Sequence, residues 1–143
     1  MRFCTQAIAL CCAISGTMPA AAADREEDST AIALSHCLDE PANSSTAGQT
    51  GCVTTAERRY DARMNAAYRI LMGRLPAASA SRLRESQRAW LLFRDAERKA
   101  QAELFGQRRG TMFVPMEADA SATMIGDRAR LLERYARILE IDP

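Results

Sequence analysis

The stretch from Leu83 to Leu104, LRESQRAWLLFRDAERKAQAEL, carries the only tryptophan of the chain and its densest run of large apolar residues outside the N-terminus. At about 100° per residue, Leu83, Ala89, Trp90, Phe93, Ala96, Ala100 and Leu104 fall within one arc of roughly 140°. That spacing predicts a helix with a core-facing stripe. Arg84, Arg88, Asp95, Arg98 and Lys99 fall on the opposite, solvated side, with Asp95 ahead of Lys99 in the favourable i,i+4 order.

Two further segments repeat at the same period. Val53, Ala56, Tyr60, Met64, Ala67, Leu71 and Leu75 form a stripe that runs to the break at Pro76, and Ala77 to Ser81 then turns the chain into the central helix. Ala118, Ala122, Ile125, Ala129, Leu132, Ala136 and Leu139 form another between about Glu117 and Glu140, interrupted only by Gly126, which allows close approach of a neighbouring helix. The expected fold is all-α: a small antiparallel bundle of three long helices and one short N-terminal helix, joined by brief connections.

Some polar residues sit where a helix stripe would bury them. Glu97 points into the apolar arc, and Gln87, Arg94 and Gln101 line its edge. A buried carboxylate needs a partner, for which Arg94 is the local candidate. Asn65 stands one turn from Tyr68, and asparagine is a poor interior helix residue unless it bonds to a neighbour. Asn65, Gln87, Arg94 and Glu97 are therefore read as a structural polar network that orients the helices.

The first 23 residues read as an export leader to be removed: Arg2 is a basic start, Phe3 to Met18 an apolar core, and Ala21-Ala22-Ala23 a small-residue cleavage site before Asp24. The mature chain, 24–143, would be one domain of periplasmic or secreted location. The apolar run is too short for a membrane span, and no later stretch approaches one. Leu10 before Cys11 is too large for a lipid-attachment site.

Of five cysteines, Cys4, Cys11 and Cys12 leave with such a leader. Cys37 and Cys52 remain, on either side of a turn-rich segment, and in an oxidising compartment they read as one disulfide. Two thiols and the lone His36 fall short of a four-ligand zinc site, so no metal and no cofactor is expected. Ser29 to Leu38 is the short first helix, capped by Ser29 or Thr30, with Ile32, Leu34 and Cys37 inward. Asp39 to Gly51 reads as a loop, and Thr54 with Glu57 as the capping box that opens the second helix.

The segment from Gly106 to Pro115, GQRRGTMFVP, has basic groups beside an apolar tip. Either the tip folds over the core, or Arg108, Arg109, Met112 and Phe113 face a partner.

The run RESQRAWLLFRDAE, together with YDARMNAAYRILMGRL before it and GTMFVPM and DRARLLERYARIL after it, resembles the DUF1311 family, whose name comes from a lysozyme inhibitor of the LprI type. The resemblance runs from about Cys37 to the C-terminus and is carried by Asn65, Tyr68, Gln87, Trp90, Arg94 and Asp95. It implies a lysozyme as the protein partner. Many relatives carry a cysteine just after the RDAE run, where this chain has Arg98, so a second cross-link is absent.

No nucleophile elbow, phosphate-binding glycine loop or metalloprotease motif is present, so the chain is not read as an enzyme. Lys and Arg number 19 against 18 for Asp and Glu, and loss of Arg2 with the leader makes them equal. That balance argues against a nucleic-acid partner. The expected function is that of an exported small helical binding protein that inhibits a lysozyme. The alternative is a cell-envelope interaction module without that activity.

Overall fold

The computed structural model describes residues 28–141; the leader and cleavage site expected from the sequence lie outside them. Four helices follow in order: α1 (Ser29–Asp39), α2 (Thr46–Arg74), α3 (Ala77–Gly106) and α4 (Phe113–Ile138). No strand occurs among the described residues. None of their helices is long and apolar enough to cross a membrane.

The core forms between α2 and α4. Ala56, Tyr60, Met64, Ala67 and Leu71 on α2 meet Ile125, Ala129, Leu132 and Ala136 on α4, and Met64, Leu71 and Leu132 are the largest side chains wholly removed from water. Both stripes are those of the sequence. Alanines interspersed among the larger residues of each stripe let the two helices interlock closely. Cross-helix contacts set the directions: Glu57 meets Arg98 and Met64 meets Gln87, so α2 and α3 run antiparallel, whereas Arg63 meets Glu133 and Arg74 meets Leu139, so α2 and α4 run together.

α1 packs antiparallel on α2 and is pinned at both ends. Its cap is Asp28, one residue before the two candidates named from the sequence, and the carboxylate accepts from the amides of Thr30 and Ala31. The same carboxylate pairs with Arg63 of α2 and, at 2.8 Å, with Arg130 of α4. Burial alone would raise the Asp28 pKa, but the hydrogen bonds from Arg130 and Arg63 outweigh it and bring the group to about 2. At the other end, the Cys37–Cys52 disulfide joins α1 to α2 across a Cα–Cα distance of 5.7 Å. Ile32, expected to face inward, is 40% exposed, and the buried position is Thr30.

The connection after α1 is much shorter than the expected loop. A 3-10 turn at Pro41–Asn43 is followed directly by α2, capped by Ser45, whose hydroxyl accepts from the Gly48 amide at 3.1 Å. Asn43 closes the turn by donating to the Cys37 carbonyl at 2.8 Å. Gly48 marks a close approach rather than a loop, since a Cβ there would lie 2.6 Å from Asn43 Cα. Thr54 is not a cap: its hydroxyl bonds back to the Thr50 carbonyl one turn earlier, within a helix already under way.

α3 departs furthest from expectation. It starts at Ala77, four residues before Ser81, with Pro76 as its cap residue. Of the predicted stripe, Leu83 and Trp90 pack partly on the core, but Phe93 is 55% and Leu104 52% exposed, and Ala89, Ala96 and Ala100 are also exposed. The inward side is rotated towards Ala80 and Gln87, the two buried residues of the helix. Polar pairs set this orientation: Arg98 bonds Glu57 at 2.5 Å and Ser121 at 3.0 Å, while Gln87 receives Arg128 at 3.0 Å. Trp90 is therefore half-buried at the flank of the core rather than within it.

Candidate functional site

Three surfaces combine chemistry with accessibility. The first is the α3–α4 connection, shorter than the sequence predicted because α4 begins at Phe113 and takes Pro115 into its first turn, where a missing amide hydrogen costs nothing. Gly110, at φ +111°, is the sole positive-φ residue described and makes the turn possible. Arg108 and Arg109 are exposed, as is Met112 at 63%, with Val114 at 52% behind it. Phe113 is half-buried. The apolar tip is thus divided, with Phe113 turned partly into the protein and Met112 left in water.

The second is a groove of ≈ 480 Å³ between α3 and α4. Trp90, Phe93, Met124 and Leu131 give it apolar walls, and Glu97 and Asp127 add carboxylates. Glu97 lies here, where no side chain among the described residues pairs with it, and so stands apart from the other three residues of the expected polar network. Arg94 instead bonds Asp95 at 2.6 Å and stacks on Trp90, its guanidinium carbon 5.7 Å from the ring centroid. Arg128 covers the same ring at 5.8 Å.

The third is a cleft of ≈ 290 Å³ between α2 and α3, and it is where Asn65, Gln87 and Arg94 converge. Tyr68, Arg84 and Arg88 complete its polar lining, over Met64 and Leu91. Asn65 donates to Asp61 on its own helix at 2.9 Å, so it does not cross to a neighbour as expected. Gln87 and Arg128 do cross. Burial lowers the pKa of the Arg128 guanidinium, which bonds Gln87 and, at 3.3 Å, Ser86 rather than a carboxylate. Arg84 and Arg88, assigned from the sequence to a plain solvated face, are the residues of this cleft that periodicity missed. Only the position of α2 opposite them gives them a site.

The expected polar network is therefore not a single one. Three of its members share the α2/α3 cleft, and Glu97 belongs to the groove on the other side of α3. No group of three or more His, Cys, Asp or Glu suited to a metal ion occurs among the described residues.

The sequence profile of the lysozyme inhibitor LprI family matches residues 37–132, from the disulfide to the heart of α4. The chain belongs to that family. Its fold is also that of a solved structure, an uncharacterised protein from Burkholderia thailandensis, with 31% identity, a TM-score of 0.74, and coverage of 79% of this chain and 56% of that one. This LprI-family chain thus spans little more than half the length of that protein. Comparison with curated proteins gives no significant match. Four of the six residues that carry the family resemblance, Asn65, Tyr68, Gln87 and Arg94, line the α2/α3 cleft.

Proposed function

We propose that this protein is exported, crosses no membrane itself, and inhibits a lysozyme by presenting the α3–α4 connection to the enzyme. The observation that carries this reading is membership of the LprI family over residues 37–132. The choice of surface rests on chemistry: Arg108 and Arg109 are exposed and, among the described residues, bonded to no carboxylate, beside a Met112 that is largely in water. A guanidinium can engage a carboxylate with two parallel hydrogen bonds, and an adjacent apolar group supplies the dry contact that such a bond needs. Leu92, at 74% exposed, together with Phe93 and Leu104, extends the accessible apolar surface along α3.

The test is a lysozyme activity assay with added mature protein, 24–143, and with its Arg108→Ala/Arg109→Ala variant. Inhibition by the wild type that weakens at least ten-fold in the variant, with an unchanged thermal midpoint, supports the loop. Equal inhibition by both places the contact elsewhere. No inhibition at high molar excess removes the inhibitor reading in favour of an envelope interaction module.

A further inference from the structure

The α2/α3 cleft has a composition unlike either of the other surfaces. Arg84 and Arg88 stand four residues apart on α3, on one face, where like charges repel in the absence of a counter-ion. Neither has a carboxylate partner among the described residues. Facing them, α2 offers the Tyr68 hydroxyl, the Asn65 amide and the Asp61 carboxylate, of which Asn65 occupies one oxygen. Met64 and Leu91 give the cleft an apolar component.

Gln87 adds a fixed donor. It is 8% exposed, and its carbonyl oxygen must face the Arg128 Nε–H at 3.0 Å, because a guanidinium can only donate. Its amide nitrogen is thereby turned towards α2, where its acceptor is the Met64 thioether at 3.7 Å, a weak one, at the floor of the cleft that both residues line. A buried amide donor held in place with so poor an acceptor retains hydrogen-bonding capacity for a better one. Arg128, buried and without a carboxylate partner among the described residues, thus serves to orient it.

We propose that the cleft binds a small acidic saccharide, with Arg84, Arg88 and the Gln87 amide receiving the carboxylate. Asp61 and Asn65 take sugar hydroxyl or amide groups, and Leu91, with the buried Met64 behind it, lies beneath the C–H face of the ring. A volume of ≈ 290 Å³ is at the lower end of the range of small-molecule sites, which suits one sugar unit rather than a protein loop. The presence of an acceptor, Asp61, among the donors favours a ligand with both a carboxylate and hydroxyls over a simple anion. This site is separate from the α3–α4 connection, and its occupancy does not depend on whether that connection inhibits a lysozyme.

The probes are N-acetylmuramic acid, N-acetylglucosamine, which lacks the lactyl carboxylate, and sodium acetate, which lacks the sugar. Amide NMR titration of the mature protein should show saturable shifts with N-acetylmuramic acid, centred on 61–68 and 84–94, and at least ten-fold weaker binding of the other two. In Arg84→Ala/Arg88→Ala, whose two side chains are exposed, the affinity should fall at least ten-fold while the thermal midpoint holds. Absence of saturable shifts with N-acetylmuramic acid overturns the proposal, as does unchanged binding in the double variant. Equal binding of N-acetylglucosamine overturns the role of the arginines, and equal binding of acetate overturns the saccharide. The lysozyme assay on this variant is read separately, since it is expected to behave as the wild type there.

Discussion

Gly126 of α4 lies against the ring of Tyr60 on α2, so closely that a Cβ at position 126 would stand 3.2 Å from both Cδ2 and Cε2. The ring has little room to yield, because it is 5% exposed and the guanidiniums of Arg63 and Arg130 each lie 5.3 Å from its centroid. Those two arginines are in turn held by Asp28, and Arg63 also by Glu133 at 2.7 Å. A missing side chain on α4 therefore sets how near α2 can come, and the ring that fills the space anchors the cluster that holds α1.

Gly126→Val is expected to destabilise the protein by about 2 kcal/mol, because an overpacked interior typically costs 1 to 3 kcal/mol. Gly126→Ala should cost far less, since the gain in helix propensity, up to about 1 kcal/mol, offsets the shift of the ring. Urea unfolding of the two variants checks this. A valine variant as stable as the wild type would mean that α2 and α4 do not approach closely at this point.

Acid should weaken the attachment of α1. Asp28 titrates at about 2 in the folded protein and at its ordinary 3.8 when unfolded. Its pKa is lowered on folding, so its contribution is complete above pH 4 and is lost as the pH falls through 3.8 towards 2. With the side chain 17% exposed, a shift of this size corresponds to roughly 2 kcal/mol. Asp28→Asn should lower stability at pH 7 by about that amount and flatten the pH dependence between 4 and 2. A variant that keeps the wild-type slope in that window would show that other carboxylates carry it.

The two attachments of α1 should be partly redundant. Closing a loop of about 15 residues with a disulfide contributes roughly 3 kcal/mol. Reduction of Cys37–Cys52 removes that contribution but leaves the Asp28 ion pairs at the opposite end of the helix. Amide exchange in α1 should therefore rise modestly on reduction and fully only when reduction is combined with Asp28→Asn. Complete loss of protection on reduction alone would assign the attachment to the disulfide.

The stripes on α2 and α4 were legible because their buried positions are apolar and regularly spaced, and the pairing of Cys37 with Cys52 followed from their being the two cysteines outside the expected leader. The same logic misplaced α3. Its apolar arc is as regular as the others, yet Phe93 and Leu104 remain exposed while Gln87 is buried, because the helix is oriented by Arg98 with Glu57 and by Gln87 with Arg128. Periodicity registers which residues dislike water. It contains no term for which polar group on another helix is within reach.

Glycine was ambiguous for a related reason. Gly48 sits among Asn and Ser residues that read as a loop, and only the distance to the Asn43 backbone shows that its role is to let a turn pack on a helix. By itself the sequence determined the all-α class, the two stripes of the core and the family, since these depend on local spacing and residue identity. Tertiary structure alone decided which face of α3 is inward, the separation of Glu97 from Asn65, Gln87 and Arg94, and the cleft that gathers Arg84 and Arg88 opposite Asp61, because each depends on the relative placement of helices whose contacting residues are far apart along the chain.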